Sequence, residues 1–92
     1  MKALGWRLAV TPEFKEDYRK LCGRNAGFRR AVDKKLQQVL LNPYHFKPLR
    51  GRMHGVRRVH FEGSYVILFE PDEATGRVIA YRLLHHDEAY GI

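Results

Sequence analysis

Ninety-two residues, 45% of them apolar and 12% aromatic, supply one domain with a modest core and are too few for a second domain. No stretch approaches the roughly eighteen uninterrupted apolar residues of a membrane span, and Arg7 breaks the only apolar segment near the N-terminus suited to a signal peptide. A cytoplasmic protein with no membrane partner is therefore expected, and the formal net charge of +7 favours a polyanion as its ligand.

Residues 5 to 10, "GWRLAV", have the length and composition of a first strand. Thr11 and Pro12 then form a good N-cap and first helical position. Phe14, Tyr18, Leu21 and Cys22 recur at helical spacing, which predicts a helix stopping around Gly23. Cys22 is the single cysteine, so it forms no internal disulfide, and its place on the apolar face assigns it to packing. A second helix from about Ala26 carries Phe28, Val32, Leu36, Val39 and Leu40 on one side and ends at Asn42 and Pro43. The two helices make a hairpin.

The segment "PYHFKPLRGRMHG" has two prolines and two glycines without periodicity and reads as an ordered basic loop. Three strand-like runs follow, over 56–61, 64–70 and 77–84, joined by turns at Glu62-Gly63 and "PDEATG". Alternation places Arg57, Val59 and Phe61 on one face of the first run, and Val56, Arg58 and His60 on the other. The middle run is apolar on both faces, as a central strand should be. The last run is expected to align Val78, Ala80, Arg82 and Leu84 on a common face. The order β, α, α, β, β, β predicts an α+β fold, with two helices on one side of a mainly antiparallel sheet and a second, open face.

The charge is unevenly placed. Between Asp33 and Glu62 there is no acidic residue, whereas Lys34, Lys35, Lys47, Arg50, Arg52, Arg57 and Arg58 lie inside that window and equal the whole net charge. Arginine exceeds lysine by eleven to six, and a planar guanidinium can grip a phosphate bidentately where an ammonium acts as a point charge. Nucleic acid is thus favoured over a membrane surface.

Two stretches, "PLRGRMHGVRRVHFEGSYVILFE" and "YRLLHHDEAYG", resemble the RelE/ParE superfamily of bacterial and archaeal toxins, and within it the YafQ-like ribonuclease branch. The shared pattern is a Leu-x-Gly turn, a Gly-x-Arg strand, an apolar strand, and an Arg-x3-His-x3-aromatic ending. The resemblance covers nearly the whole chain. It implies a RelE-like fold with an N-terminal strand and a two-helix hairpin packed on a mainly antiparallel four-stranded sheet. It further implies a toxin of a type II toxin-antitoxin system that cleaves mRNA on the ribosome, in contact with rRNA, and is neutralised by an acidic antitoxin. By the same resemblance Arg82, His86 and Tyr90 belong to the active site, and His60 matches a second histidine. The family's loop histidine aligns with Lys47, with His45 two residues away. An acidic site residue of the branch falls on Ser64, and a third-strand arginine of many relatives falls on Val66.

Metal-independent RNA cleavage uses the 2′-hydroxyl as nucleophile, so it needs a base, an acid for the departing 5′-oxygen, and cations around the phosphorane. Histidine suits both proton transfers near neutral pH. His86 is the expected acid, and His60 the first choice of base, with Lys47 or His45 as alternatives. Arg82 and Arg58 are expected to balance the phosphorane, Tyr90 to stack on a base, and Lys47, Arg50, Arg52 and Arg57 to contact phosphates. The run "HHDE" lacks a distant Cys or His pair at ligand spacing, so no metal or other cofactor is expected. The rival from another class is a non-catalytic, ParE-like inhibitor of DNA gyrase, or a non-toxic binding protein of the same fold.

Overall fold

The computed structural model describes residues 5–49 and 55–89. In chain order it holds β1 (Arg7–Val10), α1 (Pro12–Cys22), α2 (Ala26–Leu41), a single 3₁₀ turn (Pro43–His45), β2 (Arg57–Phe61), β3 (Tyr65–Asp72), β4 (Arg77–His85) and a one-turn helix α3 (His86–Ala89). Local chemistry sets the helix starts. The Thr11 Oγ1 accepts from the Phe14 N–H at 3.0 Å, and the Asn25 Oδ1 accepts from the Phe28 N–H at 2.9 Å. The two helices are tied by the Tyr18 hydroxyl, which donates to Asp33 at 3.0 Å.

The four strands form one sheet in the order β1-β4-β3-β2, with β1 parallel to β4 and the other pairs antiparallel. Burial follows from that order. Phe69 and Ile67, on the doubly flanked β3, lose all exposure against Phe14, Val32, Leu36 and Val39 of the helices. Val66 and Leu68, on the other face of β3, join Val56 and Leu84 in a smaller cluster that Leu49, Tyr81 and Ala89 partly cover. The face opposite the helices is therefore open only in part. Cys22 sits in the larger core, fully buried, and burial pushes its thiol pKa up, with the Asp33 carboxylate adding to the effect.

One expectation is corrected by a bulge. Leu68 pairs with Arg82 but the next residue, Phe69, pairs with Ala80, leaving Tyr81 as an extra residue in β4. An inserted residue reverses the alternation. Val78 and Ala80 consequently pack with the helices, Leu84 packs on the opposite face, and Leu83 takes the helix side. The four residues 78, 80, 82 and 84 do not share a face.

Turn chemistry fits the sequence. Glu62 and Gly63 both take positive φ values, 51° and 75°, in the β2–β3 turn. Gly55 is constrained differently, by space: a Cβ there would lie 2.7 Å from the Glu70 Oε2. That same Glu70 accepts from the Tyr81 hydroxyl at 2.9 Å through Oε1, so the bulged residue and the entry to β2 share one carboxylate.

Candidate active site

His60 projects from β2 with Val66 as its register partner, which places it on the face away from the helices. His86 begins α3, and its backbone N–H donates to the Ser64 carbonyl at 2.7 Å. That bond fixes the end of β4 to the β2–β3 turn. It brings the His60 and His86 rings to 6.5 Å between centroids, inclined by 59°. His60 is exposed and the His86 side chain keeps 37% of its exposure, so both imidazoles are reachable from solvent. The structure thus unites two residues that lie far apart in sequence.

The basic loop completes one side of this site. After the 3₁₀ turn the chain runs along the outer edge of β2: the Leu49 N–H donates to the Val56 carbonyl at 2.7 Å, and the Arg58 N–H donates to the Lys47 carbonyl at 3.2 Å. A bridge between Pro48 and Arg57 extends the pairing. The result is a cleft of about 370 Å³ lined by His45, Phe46, Lys47, Arg58, Val59 and His60. A neighbouring hollow of about 600 Å³ is lined by Lys47, Pro48, Leu49 and Arg58. Lys47, Arg58 and His60 therefore face common space, and His45 joins them. Arg50, Arg52 and Tyr90 lie outside the described residues.

Two other expected cations point elsewhere. Arg57 shares a face with Phe69, its register partner, and its Nη1 donates to the Phe46 carbonyl at 2.6 Å while its guanidinium sits 5.0 Å from the centre of the Tyr44 ring. It braces the loop. Arg82 is held by Asp17 of α1, donating from Nε at 2.7 Å and from Nη2 at 3.1 Å, and this hydrogen-bonded pair raises the guanidinium pKa above its ordinary value. Sequence reasoning missed Asp17, whose partner is sixty-five residues away. No local pattern announces such a pair.

His85 takes the other side of the strand. Its ring meets Tyr65 edge-on at 5.4 Å, and its Nδ1 accepts from the Asp87 N–H at 3.2 Å. The Asp87 carboxylate stands 3.6 Å from the His85 Nδ1 and 3.5 Å from the His86 Nδ1. These three residues form the one His/Cys/Asp/Glu group among the described residues compact enough to hold a metal, with ligating atoms within 4.8 Å of one another. The backbone N–H of Asp87 already occupies the His85 Nδ1 lone pair, which argues against that nitrogen serving as a metal ligand. Among the described residues no helix is long and apolar enough to cross a membrane.

Comparison with known proteins gives this arrangement its lineage. A model of the ParE toxin of type II toxin-antitoxin systems, parDE, matches residues 8–90. The chain belongs to this toxin family. A Methanocaldococcus jannaschii protein carrying the toxin name RelE4 is 32% identical over 92% of this chain and 90% of its own length. An uncharacterised Methanosarcina mazei protein is 29% identical over 90% of this chain and 96% of its own. Among solved structures, the toxin-antitoxin complex RelBE2 of Mycobacterium tuberculosis matches with a TM-score of 0.72 at 23% identity, covering 89% of this chain and 99% of that one. The isolated E. coli RelE toxin matches with a TM-score of 0.72 at 22% identity, covering 94% and 96%. A substituted E. coli RelE bound to a peptide of the antitoxin RelB matches at 0.71 and 20% identity, covering 96% and 93%. The fold of this ParE-family toxin is thus RelE-like, in agreement with the order of its elements.

Proposed function

We propose that this toxin is a metal-independent endoribonuclease of the YafQ-like kind, cutting mRNA on the ribosome in the cytoplasm. The observation that carries the reading is the approach of His60 and His86 beside the Lys47–Arg58 cleft. In this reading His60 removes the proton of the 2′-hydroxyl, whose oxygen attacks the adjacent phosphorus. His86 delivers a proton to the departing 5′-oxygen, and a 2′,3′-cyclic phosphate remains. Arg58 and Lys47 balance the charge of the pentacoordinate phosphate, which preorganised cations stabilise without reorganising. His45 and Lys47, which line the same cleft as His60, are the alternative bases. Arg50 and Arg52 contact flanking phosphates, and Tyr90 stacks on a base.

An acidic antitoxin is the natural regulator of such a surface. The acid-free window from 34 to 61 supports it on charge, and two of the fold's solved relatives are complexes with antitoxin chains. A flexible acidic segment would order on the basic face and exclude RNA from it.

The deciding experiment joins purified toxin with translating ribosomes and defined mRNA, and reads the ends of the products. Ends bearing 2′,3′-cyclic or 3′-phosphate are expected, because the 2′-hydroxyl is the nucleophile. Uniform 3′-hydroxyl ends would rule that route out. A parent protein that never cuts RNA but inhibits DNA gyrase supercoiling would belong instead with the gyrase-directed toxins. Copurification with the product of the adjacent gene tests the antitoxin separately, and failure to form a complex at low salt would remove that partner.

A further inference from the structure

We propose that Asp17 is a positioning residue for the His60–His86 site, and that Arg82 works with it in place of touching the substrate phosphate. The inference rests on the ribonuclease reading for its kinetic consequence, but its structural content stands apart from it.

The starting point is an uncovered strand edge. The parallel partner β1 ends at Val10, opposite Ala80, so among the described residues β4 continues from Tyr81 to His85 without a paired strand on that side. This is also where the bulge at Tyr81 interrupts the ladder to β3. Among the described strands, only β3 therefore holds the segment leading directly to His86. Helix α1 supplies what β1 does not. The Thr11 N–H donates to the Ala80 carbonyl at 3.1 Å, and the Thr11 hydroxyl donates to the Tyr81 carbonyl at 2.8 Å. Farther along the helix, the Asp17 Oδ2 accepts from the Leu83 N–H at 3.0 Å.

Asp17 also accepts two guanidinium bonds from Arg82, so one carboxylate takes three donors from consecutive residues of β4. Its side chain retains 13% of its exposure. At such a site a fork-like, charge-assisted contact fixes direction as well as distance. Arg82 pairs in register with Leu68, which roots it on the face that carries His60, yet its guanidinium reaches the strand edge and ends on α1. The contact holds the end of β4 against the helix three residues before His86. On the far side, the Ser64 carbonyl holds His86 itself. The imidazole is thus set between two anchors, one to α1 and one to the β2–β3 turn.

Loss of one anchor should cost geometry and spare affinity. A displacement near 1 Å in a reacting group lowers rates by about a hundredfold, so Asp17→Asn should lower kcat by between about tenfold and a hundredfold with KM for mRNA unchanged. Asparagine keeps an acceptor for Leu83 and removes the ion pair, which guards against global unfolding. Arg82→Gln should fall by a similar factor, and the double variant should be no worse than either single one. Wild-type kcat in Asp17→Asn together with a large KM increase or total loss in Arg82→Gln would overturn the proposal, because Arg82 would then contact the phosphate. An NMR arm is independent of RNA. In Asp17→Asn the His86 ring resonances should shift while the His60 amide stays unchanged, and in Asp17→Ala, which removes the acceptor, the Leu83 amide should also exchange with solvent faster. Unaltered His86 resonances would overturn the positioning role. A parent that cuts no RNA would end the ribonuclease reading and leave the NMR result to decide this one.

Discussion

Arg57 and Arg58 are neighbours on one strand, and the sheet gives them opposite tasks. Arg57 turns toward the helix side, where the Phe46 carbonyl and the Tyr44 ring engage it. Arg58 turns the other way and lines the cleft with Lys47 and His60. The contrast extends across the sheet. One face buries Ile67, Phe69, Val78 and Leu83 against two helices, while the other keeps a small apolar patch beside cations and imidazoles. Charge counted along the sequence therefore overstates charge offered to a ligand, because alternation divides it between bracing and binding.

The largest separation between the faces should come from Phe69→Ala. It empties a fully buried aromatic site on the helix side and should cost about 3–5 kcal/mol in urea-induced unfolding. A loss under 1 kcal/mol would mean that the core on this face is not the main source of stability. The second effect is kinetic. His60→Gln should lower single-turnover mRNA cleavage by about a hundredfold or more with little change in the unfolding midpoint. His85→Gln, on the opposite side of its strand, should stay close to the parent. Equal damage from the two would erase the distinction between the faces.

The two arginines supply a finer test. Arg58→Ala should reduce the slope of log affinity against log salt for RNA binding by about one, as removal of a single phosphate contact does. Arg57→Ala should leave that slope unchanged and cost about 1–2 kcal/mol of stability through its carbonyl and ring contacts. Fluorescence anisotropy at several salt concentrations, beside thermal melts, measures both.

The smallest effect concerns Tyr18, which belongs wholly to the helix side. Burial, with help from its hydrogen bond to Asp33, pushes its phenol up from 10.0 to about 12. The neutral phenol is the form the fold favours. Its contribution is complete below pH 10 and is lost as pH rises through 12. Tyr18→Phe should therefore flatten alkaline unfolding in that window and leave the cleft's RNA binding at neutral pH unaltered. An unchanged alkaline transition would show that another group governs it.

Much of this division was legible in the residues. Helix starts at Thr11 and at about Ala26, a strand apolar on both faces, and the alternation of Arg57 with Arg58 all follow from local rules that the fold obeys. What alternation could not supply was the bulge at Tyr81, which costs the pattern one residue and reassigns Val78 and Ala80 to the helix side. Equally hidden was the commitment of Arg82 to Asp17, since nothing near either residue in sequence distinguishes a clamped guanidinium from one that meets a phosphate. The approach of His60 to His86 was suggested by family likeness. A physical cause is the bond from the His86 N–H to the Ser64 carbonyl, beside the pairing of Tyr65 with His85, which only the folded chain displays.

The buried Cys22 has a practical consequence. It is the sole thiol of the chain, and attack on a disulfide reagent requires a thiolate in contact with solvent. The elevated pKa and complete enclosure make it inert while α1 and α2 stay on the sheet. Its labelling rate is then a built-in clock for opening of the helical hairpin, with no engineered probe. Run with and without an antitoxin chain, the same clock would time whether binding on the toxin's surface slows the breathing of its interior.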